Sequence, residues 1–496
     1  MKTAVLSFQF NADIMGAKNL HAYILDNGFD NYLVLQPHKD PQTDEALLDF
    51  IDDQKIAVVG ISVMSIDFLR SNLFAEKFKE RFKDIPLVYG GIHATISPSD
   101  CLEFGDVAIR GEGEFPFLEL LQQVEQNKDY GHIKGVCVKE NGKVKINPPA
   151  QLPQDLDSLP FPRHLPDSMF VVHKGLMRSM NEKLFRRYAR FNGDYFNLMA
   201  TRGCPYSCTY CCNSVYRGMY DKYNVRKRSV DSIMAEIKEG LAQFPDLLSV
   251  NIQDDCFLIN REEWIAEFAD RYKREVRRPF VVRSIPRYLN KTKVDTLAEA
   301  GLGWIIIGLQ TGSEEVNHKI YQRPSTNQQF LNAVRFVHKA GVSGLYDVIL
   351  DNPYETEEDV LKTIDVLLKI PKPYQLEVFS LMMYPGAEIT KRAIKDNLDF
   401  IDYRDKRDRQ ISMNVLNELI QMVPTFPAAL IRYCVTHRKR KTTIIIVKIC
   451  NTFNRNVLEP VSYIRLSYQA TNYKLGFLIK QLTSAFKTVM LRFREV

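Results

Sequence analysis

Long apolar runs are missing from this chain of 496 residues. No stretch approaches the roughly 20 consecutive apolar residues that a membrane-spanning helix needs. Cysteine is scarce and odd in number, nine in all, which does not suit a disulfide framework. The opening segment, Met1 to Phe8, holds one charge and then a strand-length apolar run, too short for a signal peptide. Together these absences lead us to expect a cytoplasmic protein whose thiols stay reduced. Hydrophobic residues at 45% and charged residues at 25% fit an ordinary globular composition. At this length two or three domains are expected.

A strong global charge is missing too. The formal net charge is +6, but residues 432–496 hold 13 Lys or Arg against Glu459 and Glu495, a surplus of 11. The rest of the chain is therefore at −5. Charge-driven nucleic-acid binding by this mildly acidic body is not indicated, so no nucleic-acid partner is expected.

What is present begins with alternation. Strand-like runs at Ala4–Phe8, Tyr32–Leu35, Ala57–Val63, Leu87–Tyr89 and Val107–Arg110 are separated by amphipathic stretches such as Phe68–Phe82 and Phe115–Val124. Such alternation predicts a Rossmann-like, doubly wound parallel sheet, with ligands beyond the carboxyl ends of its strands. Small residues crowd those ends: Gly60, Ser62 and Ser65, then Gly90 and Gly91, then Gly111-Glu112-Gly113-Glu114. Asn141-Gly142 between alternating runs signals a hairpin. Proline-rich stretches around Pro148-Pro149 and Pro160-Phe161-Pro162 then read as a linker over 151–193.

A second strand–helix series occupies 194–400. Its six predicted strands are Asn197–Thr201, Ser249–Gln253, Phe280–Ser284, Trp304–Leu309, Gly344–Leu350 and Leu376–Leu381. Within it, Cys204, Cys208 and Cys211 share one short loop, Gly203-Cys204-Pro205-Tyr206-Ser207-Cys208-Thr209-Tyr210-Cys211. Thiolates hold iron–sulfur clusters, and three ligands on a four-iron cluster leave one iron open. A zinc site is the competing reading. It would need the adjacent Cys212 as fourth ligand, and no His follows at finger spacing.

The spacing Cys-x3-Cys-x2-Cys, with an aromatic residue before the last cysteine, resembles the signature of the radical S-adenosylmethionine (SAM) superfamily. The glycine-rich strand ends ahead of it look like the cobalamin-binding domain of one large subgroup, over most of residues 1–150. That resemblance implies a partial (β/α)6 TIM-type barrel, a [4Fe-4S] cluster on Cys204, Cys208 and Cys211, and SAM chelated to the open iron. It also implies cobalamin near Ser62, Ser65, Gly90, Gly91, Gly111, Glu112, Gly113 and Glu114. Residues Gly308, Gln310, Gly312 and Ser313 resemble the ribose-contacting motif, with Gln310 where Glu is common, and Tyr210 fills the adenine position. Asp254 would orient SAM or substrate, or else cap a helix. The lower-ligand motif Asp-x-His-x-x-Gly is degenerate, reading Asp13-Ile14-Met15-Gly16-Ala17-Lys18. Any bound cobalamin would lack a lower His from it. His93 reads as a residue near the corrin or a surface His.

The implied chemistry is reductive SAM cleavage to a deoxyadenosyl radical, hydrogen abstraction from an unactivated carbon, and methyl delivery from methylcobalamin. A small-molecule or lipid-like substrate and a low-potential electron donor such as flavodoxin or ferredoxin follow from it. Cyclisation, rearrangement or oxidation without methyl transfer is the alternative outcome, and a zinc-stabilised binding protein the alternative class. No catalytic side chain is singled out. Residues 401–496 break the barrel pattern and read as a basic, helical tail. Its last segment, Tyr473 to Phe493, is a basic amphipathic pattern. Such a helix lies on an anionic membrane or packs on the barrel with its charges solvated.

Overall fold

The computed structural model describes residues 1–37, 41–400 and 411–471. The first sheet is built on five parallel strands: β1 (Lys2–Ser7), β2 (Asp30–Leu35), β3 (Val58–Ser62), β4 (Leu87–Gly90) and β5 (Val107–Ile109). Their spatial order is β5-β4-β3-β1-β2, so the winding reverses between β1 and β3. Alternate side chains feed two cores. Ala4 and Leu6 enter one with Phe68, Phe74 and Phe78, while Val5 enters the other with Ala17, Ile24, Phe117 and Leu120. The hairpin β6 (Val136–Glu140) and β7 (Lys143–Ile146) extends one edge, antiparallel.

The other edge corrects the linker reading. Residues 151–193 supply β8 (Met169–His173), parallel to β2, and β9 (Leu176–Ser179), antiparallel to β8. They also supply the helix Glu182–Tyr188, whose Phe185 and Tyr188 enter the first domain's core. Met169 and Val171 are fully buried in that core as well. The segment therefore belongs to the first sheet, which has nine strands.

The second domain starts with β10 (Tyr195–Leu198), followed by a two-residue antiparallel ribbon, β11 (Thr201–Arg202) and β12 (Arg226–Lys227). The parallel series continues through β13 (Ser249–Ile252), β14 (Phe280–Ser284), β15 (Leu302–Gln310), β16 (Ser343–Leu350) and β17 (Gln375–Ser380). The six parallel strands pair strictly in order, β10-β13-β14-β15-β16-β17, forming an open TIM-type barrel. Outward residues such as Phe196, Val250, Val282, Ile305 and Val348 pack on the surrounding helices in the largest core.

Residues 411–471 carry four helices, Val415–Met422, Ala428–Thr436, Lys441–Phe453 and Glu459–Ala470. The last covers the amino-terminal mouth of the barrel. Ser343 Oγ donates to the Leu466 carbonyl at 2.9 Å, Gln375 Nε2 donates to the Glu459 carbonyl at 3.2 Å, and Tyr463 stacks on Trp304. The start of this region reaches the opposite side, where Asp351, just after β16, accepts from the Ser412 N–H and from Asn417 Nδ2, both at 3.0 Å. The amphipathic pattern at Tyr473 to Phe493 lies outside the described residues.

Candidate active site

The cysteine loop leaves the carboxyl end of β10 and is held from several sides. The Cys211 N–H donates to the Cys208 carbonyl at 2.9 Å. The Thr209 N–H and Oγ1 donate to the carbonyls of Tyr321 and Ile320, and Arg217 Nη2 donates to the Cys204 carbonyl at 3.0 Å. Asp254 anchors the loop's approach. It is fully buried at the end of β13 and accepts from the Ala200 and Thr201 N–H groups and from Thr201 Oγ1. Burial pushes its carboxyl up to about 7, against the donors that favour the ionised form. Asp254 thus supports the cysteine loop through its backbone. Asp254→Ala would strand buried N–H groups and is expected to cost roughly 1–3 kcal/mol, read as a lowered urea midpoint.

Cys204, Cys208 and Cys211 pack in one small apolar cluster with Tyr206, Tyr210, Cys256, Ile285 and Tyr288. Among the described residues, no three His, Cys, Asp or Glu side chains are gathered tightly enough for a single metal ion. A mononuclear zinc site bonds its ligands to one ion, whereas a polynuclear cluster bonds each thiolate to a different iron. The surroundings of the sulfurs also fit an anionic thiolate cluster. Arg323, 5% exposed, aims Nη1 at Cys208 Sγ (3.9 Å) while Nη2 donates to the Gly308 carbonyl at 2.9 Å. Asn213 Nδ2 lies 3.7 Å from Cys211 Sγ. The hydrogen bonds of this buried guanidinium go to a thiol and a carbonyl rather than to a carboxylate. Negative charge on the sulfurs would supply its counter-charge.

The residues nominated for SAM divide. Gln310 ends β15 half-buried, and Tyr210 stands edge-on to Tyr321 with ring centroids 4.8 Å apart. Gly312 and Ser313 turn instead towards the helix Glu357–Leu367. The Gly312 N–H donates to Thr363 Oγ1 at 2.7 Å, and the fully buried Ser313 Oγ donates to Asp359 Oδ1 at 2.7 Å. A Cβ on Gly312 would meet the Thr363 Cα at 2.5 Å and the Lys362 carbonyl oxygen at 2.6 Å. Close helix packing therefore accounts for this glycine. Gly312→Ala is expected to destabilise the barrel by about 1–3 kcal/mol, as overpacking does, measured by thermal unfolding.

Between the two domains lies a cavity of about 340 Å³. Its first-domain wall includes Gly60, Ser62, Gly90, Gly91, Gly111, Glu112, Gly113 and Glu114, beyond the carboxyl ends of β3, β4 and β5. Seven of the eight residues nominated for cobalamin are thus brought together. Ser65 is the exception. Its hydroxyl lies 2.9 Å from His93 Nδ1, and that imidazole is wholly buried with its ring 4.0 Å from Phe68. His93 is therefore neither at the surface nor in the cavity wall. Gly111 sits at φ +91°, and a Cβ there would meet the Tyr220 hydroxyl at 2.4 Å.

The opposite wall comes from the barrel: Met199, Arg202, Gly203, Cys212, Asn213, Tyr216, Tyr223 and Asp255. Cys212 and Asn213 directly follow the last cysteine of the motif, so the cavity runs from the glycine loops to the cysteine loop. Asp255 accepts from Asn213 Nδ2 at 3.2 Å, and burial raises its carboxyl above the ordinary range.

Sequence reasoning missed the links across this cavity. Glu112 Oε2 accepts from Arg202 Nη1 at 2.9 Å and from Arg226 Nη1 at 3.1 Å, and Glu114 Oε1 accepts from Arg202 Nη1 at 2.7 Å. Both carboxylates are thus engaged by barrel cations while their backbone lines the cavity. Asp13, from the degenerate motif, accepts from the Arg190 N–H, the Tyr195 hydroxyl and Asn197 Nδ2. These contacts tie the loop after β1 to β10. Patterning gave no hint of these pairs, because their partners stand some 90 to 180 positions apart.

Comparisons with known proteins agree with this layout. Residues 198–367 match the radical SAM superfamily, and residues 1–121 match the B12 binding domain. An uncharacterized methyltransferase of Pyrococcus horikoshii, PH0819, is 26% identical over 348 residues, covering 69% of this chain and 70% of that protein. The cobalamin-dependent radical SAM methyltransferase TokK of Streptomyces tokunonensis is 26% identical over 344 residues, covering 67% of this chain but only 48% of its own length. The cobalamin-dependent radical enzyme OxsB, solved with aqua-cobalamin and SAM bound, shares the fold. Its TM-score is 0.66 at 14% identity, covering 100% of this chain and 80% of that one.

Proposed function

The chain is a radical SAM superfamily protein with an N-terminal B12-binding domain, and from that premise we propose that it methylates an unactivated carbon of a small-molecule or lipid-like substrate. The observation that carries the reading is the cavity between the domains. Its walls are the glycine loops on one side and the helix following the three cysteines on the other. Held beside it by the cysteine loop, a [4Fe-4S] cluster with SAM would supply one-electron cleavage of a carbon–sulfur bond, and cobalamin in the cavity would supply the transferable methyl group.

The protein's part is to hold and to shield. Cys204, Cys208 and Cys211 present the thiolates, and Arg323 and Asn213 direct positive charge and an amide towards the sulfurs. Gln310 at the end of β15 and Tyr210 in the cysteine loop are the contacts for the ribose and adenine of SAM. Asp254, Gly312 and Ser313 act behind them, through the backbone they brace. On the opposite wall Gly90, Gly91, Gly111 and Gly113 let the main chain approach a flat macrocycle. Tyr216 and Tyr223 close the barrel side against water. A low-potential donor such as flavodoxin or ferredoxin, in the cytoplasm, completes the reading.

No histidine lines the cavity among the described residues. Met15 stands where the lower-ligand motif has His, and the nearby His21 is engaged through both ring nitrogens, by Asn31 and Ser168. Cobalamin bound here is therefore expected to show, in its cobalt(II) state, no nitrogen splitting from a protein imidazole by electron paramagnetic resonance. Such splitting would contradict the placement.

Methyl transfer itself is tested by anaerobic turnover with methyl-deuterated SAM and candidate substrates, read by product mass. A labelled methyl in the product supports the proposal. Deoxyadenosine with a product that gains no methyl would replace methylation by cyclisation, rearrangement or oxidation.

A further inference from the structure

The helices Lys441–Phe453 and Glu459–Ala470, joined through the π-helical turn Asn454–Leu458, expose an apolar stripe that no other described element covers. Their inner line, Thr443, Val447, Asn451 and Asn454, is buried. On the outer side Ile445 is 58% exposed, Ile449 65%, Phe453 50% and Val461 59%. Scattered apolar residues on a surface need no explanation, but a contiguous stripe along two successive helices does. The four-residue spacing of Ile445, Ile449, Phe453, Val457 and Val461 would drift around an uninterrupted α-helix. The wider π turn Asn454–Leu458, which carries Val457, offsets part of that drift.

Positive charge borders this stripe. Lys441, Lys448 and Arg455 recur every seven residues, all exposed, and so run down one flank of the apolar line. Lys439 and Arg440 add exposed cations at its start, and Glu459 is the lone acidic residue in 432–471. An apolar ridge with a cationic flank matches the interface of an anionic bilayer, where side chains enter the acyl boundary and ammonium groups meet phosphates. The remaining segment of this chain, 472–496, carries five further Lys or Arg against Glu495 alone, so its charge repels the flank rather than complementing it. A second copy of the chain would bring the same positive charge.

We propose that the stripe from Ile445 to Val461 seats the enzyme peripherally on an anionic lipid surface. The later helix covers the amino-terminal mouth of the barrel, the earlier one starts close to Glu357, which Arg438 contacts, and no residue of the stripe lines the cavity between the domains. Docking would therefore leave the cavity between the domains accessible. The reading of the active site stands or falls separately.

The test is sedimentation of the full-length protein with vesicles of phosphatidylcholine, alone or mixed with phosphatidylglycerol. Two double variants are compared with it: Ile449→Ser with Phe453→Ser, and Lys441→Glu with Lys448→Glu. All four side chains are exposed, so both variants are expected to keep the parent melting temperature. The parent should partition at least about tenfold more onto the anionic vesicles and be released by salt, and each variant should lose that preference. SAM cleavage should be unchanged in both. Equal partition onto neutral vesicles, or none onto anionic ones, overturns the proposal. Undiminished binding by folded Ile449→Ser/Phe453→Ser protein overturns it in favour of residues 472–496. A dimer in the parent that this variant abolishes, without lipid binding, overturns it in favour of a second copy.

Discussion

Cys208→Ala is expected to reduce cluster iron and sulfide to background, and SAM cleavage with them. Cys208 is 5% exposed, the most enclosed of the three motif cysteines, and Arg323 is directed at its sulfur. Removing that thiol takes one of the three proposed ligands and leaves a buried guanidinium facing a methyl group. Two remaining thiolates would leave two irons of a cubane without a protein ligand, so stable assembly is not expected. Two control variants sharpen the expectation. Cys256→Ala removes an equally buried sulfur whose partner is Ser284 Oγ at 3.7 Å, and iron should stay. Cys212→Ala also discriminates, since a four-cysteine zinc site would need that residue. Iron retained in Cys212→Ala and lost in Cys208→Ala fits the cluster; metal lost equally from both fits zinc. Iron and sulfide analysis of anaerobically reconstituted protein reads all three.

Glu112→Gln is expected to destabilise the fold by about 3–5 kcal/mol, because it breaks a buried ion pair by removing one partner. The Glu112 side chain is 16% exposed and lies between Arg202, 14% exposed, and Arg226, 5% exposed. Glutamine preserves the shape and removes the charge, leaving the Arg226 guanidinium without its carboxylate. The same carboxylate joins the two walls of the cavity, so cobalamin retention should fall with stability.

Burial pushes this carboxyl up, but Arg226 and Arg202 outweigh burial and hold it below the usual glutamate range. A folded-state value below the unfolded one means that the stabilisation is present above the unfolded value, near 4.3, and is lost as pH falls through the folded value. The stability gap between parent and Glu112→Gln should therefore be full at neutral pH and close in acid below about pH 4. Denaturant unfolding at stepped pH measures the gap. A gap that persists unchanged in acid would show that the contact acts through packing and not through charge.

Much of this architecture was legible from local pattern. The strands of both parallel series are short apolar runs flanked by helical periodicity, and Phe280–Ser284 is observed with its predicted bounds. The glycine loops were legible because chain reversal beyond a strand leaves few alternatives: Gly91 and Gly111 both sit at positive φ. The strands β8 and β9 were not. They are short and follow proline-rich segments; β8 is stabilised by pairing with β2 more than 130 positions earlier, and β9 by pairing with β8. Ser65 and Ser313 illustrate a different limit. Each has the right residue type near the right strand end, yet one hydroxyl faces His93 and the other Asp359. Which way a side chain turns is decided by packing that a linear pattern does not contain. Arg323 shows the converse, a lone arginine in Gln322-Arg323-Pro324 that gains meaning only once folding brings it to Cys208.

The proposed function needs a cluster on the cysteine loop and cobalamin in the cavity beside it. The most direct measurement is the iron, sulfide, zinc and cobalamin content of the anaerobically reconstituted protein, taken with deoxyadenosine formed on reduction with SAM. The account predicts four irons with matching sulfide, one cobalamin per chain, and deoxyadenosine that disappears in Cys208→Ala. Zinc in place of iron, with no cobalamin retained and no SAM cleaved under any reducing condition, would contradict it.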